Sequence, residues 1–512
     1  MENNGENDAK SMADKVIDIR AKVEERKAAE QQLAPPPKDG DGSGGDITES
    51  FVLNCLYRQE LGDGELYAKK LNGKFLYNSM TGRWMVKEGS LWRDDTLNKH
   101  LSSVEEVVGE YDAVVKNIDD EKIKKRLYSR IHSLRKDKNR NNCVKFARTC
   151  ETSMAISGYE FDTNPTVLGF PNGILDVTTG KLLKGDGGGL ISKSVIAPWK
   201  DIEEPAPLWE KTIQDVINNR SVEAFLQRFY GYSLLGEVRE RVFLVCDGRG
   251  QNGKGLISET INKVLGDYAV TIDSSMLCQN KFSSRSSSGP SPDIMALKGA
   301  RVATASETGE GQKFDIGKVK WLSGGESVVG RHIQGREIIT FQPSHTLILL
   351  TNHIPRADAS DYAFWARFHR IPFPFSFVDE PVKDFEKLAD RQLGKKLLQE
   401  ASGILAWLVR GFLMYQEMGL CPPKEVKDAI EEQRDEENYL KEYLEQRCLV
   451  DTEQRMLLED LYRDFHDWYK EDTGSEYVPT KNKFGRLLVS EGFEKKKDEK
   501  GRRIYCGLRT IS

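Results

Sequence analysis

The chain has 512 residues, 38% of them hydrophobic and 30% charged, with 75 Lys and Arg against 80 Asp and Glu. The resulting net charge of −5 excludes an overall basic footprint, so any nucleic-acid contact must come from local patches. The length predicts about three to four domains, and no apolar run approaches the roughly 18 residues a membrane span needs.

Residues 1–46 read as a flexible tail and linker. A charged, helix-compatible stretch leads into APPPKDGDGSGGD, whose Pro, Gly, Ser and Asp cannot bury apolar surface. The first ten residues, MENNGENDAK, lack the charged and apolar regions of a secretory signal. Eight cysteines are scattered without a C-x-x-C pair, which argues against a zinc ribbon or a disulfide framework and predicts a reducing, cytoplasmic setting.

Residues 47–235 read as a mixed, mainly helical region. Short strands carry Trp84 and Trp92, with turns at Gly82 and Gly89. A helix follows in which Ile123, Leu127, Ile131 and Leu134 share one face and Lys124, Lys125, Arg126, Arg135 and Lys136 the other. That basic face is either solvated or a nucleic-acid contact. FPNGILDVTTGKLL predicts two short strands around a T-G turn, and EAFLQRFYGYSLLG a helix.

Residues 236–378 carry the most informative text. An apolar strand, Val242 to Cys246, runs into Gly248, Arg249, Gly250, Gln251, Asn252 and Gly253, and Lys254 opens a helix with Gly255 and Leu256. This is the strand–G-x-x-x-x-G-K–helix arrangement that cradles phosphate. Glycines let backbone N–H groups turn inward, the helix terminus adds positive potential, and the lysine bridges the β- and γ-phosphates of ATP. Gly255 stands where a hydroxyl would hold Mg²⁺. The metal is then held through water and other residues, or Ser258 substitutes, or hydrolysis is weak.

Downstream, Val302 to Ser306 predicts a second buried strand ending at Glu307, placed to orient water or Mg²⁺. SHTLILLTNHIP predicts another, ending at Asn352, either a sensor of the γ-phosphate or a turn residue. Arg367 sits between Trp365 and Phe368; it is either a transition-state arginine supplied in trans or a structural arginine paired to a carboxylate. Between these lies a predicted hairpin turning at Gln334–Gly335, with Arg331, His332 and Arg336 at its tip. It either follows a phosphate backbone or is an ordinary surface hairpin.

Residues 379–440 read as a helical segment. In 441–512, Leu458, Leu461, Phe465 and Trp468 form one helical stripe. A helix from Thr480 to Gly492 follows, with Lys481, Lys483 and Arg486 outward. A hairpin around 499–501 then carries Lys495, Lys496, Lys497, Arg502 and Arg503. Helix, basic helix and basic hairpin resemble a winged helix, which docks either DNA or protein.

Taken together, GRGQNGKG, the strand ending at Ser306–Glu307, KWLSGGE, SHTLILLTN and WARFHRIPF resemble the superfamily 3 helicases, in particular the phage, plasmid and poxvirus primase-helicase group. The resemblance extends upstream through FDTNPTVLGFPNGILDVTTGKL. It implies an α/β fold with an AAA+-type P-loop core, preceded by the mixed region and closed by the winged helix. It also implies an ATP-dependent replicative helicase of a phage or mobile element, acting in the host cytoplasm as a homo-oligomeric ring, usually a hexamer, on single- and double-stranded DNA. Carried across, Lys254 is the Walker A lysine, Glu307 the Walker B acid and metal ligand, Asn352 the sensor and Arg367 the arginine finger. Lys320, Arg331, His332 and Arg336 fall to the DNA-contacting segment. Ser306 stands where some relatives have a second acid. No primase domain fits the residues before 47, so priming is expected from a separately encoded primase or polymerase. An origin-binding initiator or loader, and a regulatory ring with weakened hydrolysis, are the rival readings.

Overall fold

The structure, a computed structural model, describes residues 47–511 apart from 186, 280–290, 310–311, 332–337, 437–438, 474–477 and 499–500; the side chains of 435–436, 473, 483, 486 and 490 are likewise not described. The predicted tail at 1–46 lies outside these residues. The described residues gather into two compact units, one of 47–88 with 92–161 and the other of 89–91 with 162–511.

The first unit contains α1 (Glu49–Tyr57), α2 (Gln59–Lys70), β1 (Phe75–Asn78), β2 (Arg83–Glu88), β3 (Leu91–Asp94), α3 (Val104–Asn117), α4 (Glu121–Leu134), α5 (Asp137–Ala147) and β4 (Ala155–Ile156). Its sheet is ordered β3-β2-β1-β4, and the turns expected at Gly82 and Gly89 both have positive φ. Helix α4 starts where the Asp120 carboxylate accepts from the N–H groups of Lys122 and Ile123, satisfying two donors at the helix start. Its apolar stripe is the one the spacing predicts: Leu127 and Leu134 are fully buried beside Tyr67, Val104 and Tyr111.

The second unit begins with a small antiparallel sheet, β5 (Val167–Phe170), β6 (Gly173–Asp176) and β7 (Lys181–Leu182), then α6 (Pro207–Ile217) and α7 (Arg220–Tyr232). Pro207 opens α6 at a position where its missing N–H costs nothing. A five-stranded sheet follows, built from β8 (Phe243–Asp247), β9 (Ala269–Asp273), β10 (Val302–Ser306), β13 (Thr346–Thr351) and β14 (Phe368–Pro372), with α8 (Lys254–Leu265) after β8 and α9 (Ile316–Leu322) after β10. The order is β14-β8-β13-β10-β9 and every neighbouring pair is parallel. Strands β8 and β13 are buried at every residue, as parallel strands covered on both faces must be. The expected hairpin is present as β11 (Val328–Gly330) paired antiparallel with β12 (Ile339–Phe341), and its tip lies outside the described residues.

Beyond the sheet come β15 (Ser376–Val378), β16 (Glu386–Leu388), α10 (Leu393–Leu397), α11 (Ala401–Met418) and α12 (Lys424–Glu436). By length and composition Leu393–Met418 could cross a membrane, but 61% of its apolar window is buried in the protein, where Ile404, Leu408 and Phe412 share a core with Trp209, Phe229, Leu244 and Ile348. The segment 162–235 thus shares its core with the parallel sheet. Last come α13 (Tyr439–Arg447), β17 (Cys448–Leu457), α14 (Leu458–Thr473), α15 (Lys481–Ser490), β18 (Glu494–Lys497) and β19 (Arg503–Thr510). They enclose a separate core in which Leu461, Phe465, Phe484 and Leu508 are fully buried. The molecule is thus mixed α/β with a parallel central sheet.

Candidate functional site

A β-α-β connection that leaves β8 and returns at β9 must pass over β13 and β10. The crevice therefore opens at the carboxyl ends of β8, β13 and β10, where parallel sheets commonly hold ligands. Register aligns those ends: Asp247 pairs with Thr351, and Leu350 with Ser306. The residues that follow, Gly248, Asn352 and Glu307, consequently meet at one level.

The glycine-rich loop turns sharply there. Gly248 and Gly253 have φ of 144° and 87°, and Gln251 between them has φ of 60°. A Cβ on Gly248 would lie 2.5 Å from the Phe373 carbonyl oxygen, and one on Gly253 would lie 2.8 Å from the Val216 side chain. The loop is tied down where the Phe377 N–H donates to the Gln251 carbonyl at 2.7 Å. A Cβ on Gly255, by contrast, would meet nothing within 4 Å, so that side of the helix start faces open space.

Lys254 opens α8 and curls back over the loop. Its Nζ donates to the Gly248 carbonyl at 3.0 Å and to Asn352 Oδ1 at 2.6 Å. Burial holds the Lys254 pKa below the ordinary lysine range, opposed by Cys246 and Asp247. Glu307 is exposed, with φ of 61°, a left-handed conformation unusual for a non-glycine residue. Its N–H donates to the Leu350 carbonyl at 3.1 Å and its carbonyl accepts from Ser274 Oγ at 3.0 Å, which hold the turn in place.

Lys254, Glu307 and Asn352 line one pocket of about 900 Å³ together with loop residues Gly250 to Leu256. Its other wall is largely apolar: Leu208 and Val216 from α6, then Phe377, Leu388 and Leu393. These wall residues carried no motif in the sequence; they come from about 40 residues before the loop and about 130 after it, and only the fold unites them. Gly248 and Arg249 are not among the lining residues, and the Arg249 guanidinium lies over the Phe385 ring at 5.2 Å.

Ser258, offered above as a substitute hydroxyl, is buried at 2% exposure with its Oγ 3.4 Å from Thr304 Oγ1, and it does not line the pocket. Among the described residues no group of three His, Cys, Asp or Glu side chains could hold a metal. A nucleotide-bound Mg²⁺ needs only one or two protein carboxylates, the phosphates and water supplying the rest. Exposed Glu307, next to exposed Ser306 in the pocket lining, fits that modest requirement.

Arg367 is absent from the pocket lining; one guanidinium nitrogen donates to the Ala363 carbonyl, and its Nε has no hydrogen-bond partner among the described residues. The carboxylate-paired arginine is Arg370, which no motif in the sequence singles out. Its Nε and one terminal nitrogen donate to Asp247 Oδ1 and Oδ2 at 3.0 and 2.9 Å, bracing β14 against the strand that carries the loop.

The expected DNA contacts lie elsewhere and are not brought together with the pocket. Lys320 is held by Asp361 at 2.9 Å, beside the turn leading to Arg367. Arg331 follows β11, its N–H donating to Ser291 Oγ at 3.0 Å, while His332 and Arg336 lie outside the described residues. In the C-terminal part, Lys481 pairs with Glu459 at 2.8 Å, and the side chains of Lys483 and Arg486 on the same helix are not described. Lys495, Lys496 and Lys497 are exposed on β18; Lys496 pairs with Glu494, Arg502 with Asp498, and Arg503 donates to Asn482 Oδ1.

Comparison with known proteins gives the following. Residues 64–218 match the family described as "D5 N terminal like". A protein of Acanthamoeba polyphaga mimivirus named "Putative helicase" is 27% identical over 326 residues, covering 60% of this chain and 33% of that protein. One of Sputnik virophage with the same description is 25% identical over 358 residues, covering 66% of this chain and 44% of its own length. A "Putative primase" of African swine fever virus is 24% identical over 238 residues, or 45% of this chain and 24% of that one. The matched region thus spans less than half the length of these relatives. Among solved structures, the apo NrS-1 C terminal region superposes with a TM-score of 0.43 at 12% identity, covering 86% of this chain and 98% of that one.

Proposed function

We propose that this chain, a member of the primase-helicase group that carries the D5 N-terminal-like region, is an ATP-dependent replicative DNA helicase of a virus or mobile element. It would work as a homo-oligomeric ring, with an AAA+-type P-loop core and a C-terminal winged helix. The observation that carries this reading is the meeting of Lys254 Nζ, Asn352 Oδ1 and Glu307 beside a glycine-rich loop at the ends of three adjacent parallel strands.

In this reading the ATP phosphates take the place of the contacts Lys254 now makes to Gly248 and Asn352, and the loop amides and the α8 terminus add their partial charge. The apolar wall of Leu208, Val216 and Phe377 takes the base. Glu307 polarises the attacking water and shares in holding Mg²⁺, which supplies charge neutralisation at the phosphates. Asn352 senses the γ-phosphate. Arg367, from outside the pocket of its own protomer, reaches the transition state on the neighbour. Movement of the β11–β12 hairpin, with Arg331, His332 and Arg336, would draw single-stranded DNA through the ring, while the basic elements at 481–503 hold duplex phosphates. All eight cysteines are free, in keeping with a reducing cytoplasm, the host's if the gene is viral. Priming falls to a separate primase or polymerase.

Steady-state ATP hydrolysis tests the site. Lys254→Ala abolishes turnover, whereas Arg367→Ala keeps nucleotide binding and loses hydrolysis. Turnover unaffected by Lys254→Ala refutes the assignment. The exposed basic hairpin β18–β19 also favours an origin-binding loader that uses ATP as a switch; ATP-driven strand displacement on a forked duplex excludes that reading.

A further inference from the structure

Beyond the nucleotide pocket and the basic C-terminal elements, we propose that the outer face of α4 is a second binding site for single-stranded DNA. Residues 121–140 hold nine Lys or Arg against two acidic residues, within a chain whose net charge is −5. The local sign is therefore opposite to that of the whole molecule.

The structure shows which of these charges are already neutralised. Arg130 is drawn inward to buried Asp63, Lys124 pairs with Glu121, and Arg135 and Arg140 share Glu105. Lys122, Lys125 and Arg126 are exposed and have no ion-pair partner among the described residues. At about 100° per residue, Lys122, Lys125, Ser129 and His132 fall within roughly 40° of the direction opposite Leu127. They form a polar ridge about 15 Å long, with no acidic side chain on it.

Two exposed tyrosines border this ridge. Tyr57, at the end of α1, is 54% exposed, and the Arg126 guanidinium lies over its ring at 5.5 Å. Tyr128, 57% exposed, projects from the opposite flank, two residues beyond Arg126. A large aromatic side chain left in water gains nothing for the fold, and a cation stacked on one ring makes a flat platform suited to a nucleobase. Cations that track a backbone with aromatic rings beside them match single-stranded nucleic acid better than duplex, whose bases present no free faces. This site does not depend on the nucleotide reading, because it is argued only from charge and ring exposure on α1 and α4 of the first unit.

The test is equilibrium binding of the full chain to a fluorescent single-stranded oligonucleotide and to a duplex of equal length, without nucleotide, over a salt series. The variants are K122Q/K125Q/R126Q and Y57L/Y128L, each checked for native ATP binding. The triple variant is expected to lower the salt slope on single strands by about 2, since each phosphate contact contributes about 0.7. The tyrosine pair is expected to lose at least about fivefold in single-strand affinity, with duplex binding little changed. Unchanged affinity and slope in the triple variant overturn the proposal and leave the face solvated or open to an acidic protein. Equal losses on single strand and duplex, with no effect of the tyrosines, overturn the single-strand assignment. Loss of ATPase in the Lys254→Ala chain, with single-strand binding intact, keeps the two readings separate.

Discussion

A non-glycine residue at φ of 61° places its Cβ against its own carbonyl, which costs about 1–2 kcal/mol. Glu307 accepts that cost at the rim of the pocket, held by Leu350 and Ser274. Such outliers persist where surrounding structure over-determines them and often mark functional turns. Glu307→Gly removes the clash but adds chain entropy to the unfolded state. Urea unfolding should therefore show stability unchanged, or raised by up to about 1 kcal/mol, while ATP turnover is lost. A fall of more than that would assign the carboxylate to the fold instead of the chemistry. Lys254 was legible from its motif, since glycines, lysine, a preceding apolar run and a following amphipathic helix agree on one conformation. Its bond to Asn352, 98 residues away, was not, because only strand register brings the two together. Arg367 and Arg370 lie three residues apart and look alike as text. Which of them meets Asp247 is decided by the pairing of β14 with β8.

At the scale of elements, α7 and α11 cross closely within the core they share with the parallel sheet. A Cβ on Gly231 of α7 would sit 2.2 Å from the Gly411 carbonyl carbon of α11, and one on Gly411 would sit 2.2 Å from the Gln227 carbonyl oxygen. The backbones touch because neither residue has a side chain, and the T-shaped pair Trp209–Trp407, 5.5 Å between centroids, fills the space alongside. Gly231→Ala must push the helices apart and is expected to destabilise by about 1–3 kcal/mol, measured by denaturant midpoint. A midpoint shift within error would mean the crossing is slack. The helices themselves were readable from periodicity, as was the α14 stripe of Leu458, Leu461, Phe465 and Trp468, all buried. The crossing was not, since a glycine in a helix says nothing about its partner. For the same reason the pocket wall of Leu208, Val216 and Phe377 was illegible: apolar residues on an amphipathic helix announce burial without naming the neighbour.

Across the whole molecule, several imidazoles are buried in neutral form, and that couples stability to pH. His345 is 3% exposed, and burial pushes its pKa down from 6.5 to about 4. Burial lowers His369 and His100 in the same direction. Below pH 6.5 the unfolded chain takes up protons that the folded one refuses. The stabilisation is therefore complete above pH 6.5 and is lost progressively as pH falls toward 4. Unfolding at pH 7 and pH 5 should show a weaker fold at pH 5. His345→Leu should narrow that difference by about 1–2 kcal/mol; an unaltered difference would place the pH dependence on other groups. The α/β class was implied by the motif resemblance, while the parallel order β14-β8-β13-β10-β9 came only with the structure. So did the division between residues 161 and 162, because no glycine- or proline-rich linker marks it.

We propose one catalytic site built from two protomers, with Lys254 on one and Arg367 on the next. Mixing Lys254→Ala and Arg367→Ala chains, after dissociation and reassembly together, measures this directly. Each variant alone is expected to be inactive in ATP hydrolysis, and the mixture to regain activity, because some interfaces then join an intact lysine to an intact arginine. A mixture as inactive as its components, although it co-assembles, would contradict a site shared between protomers.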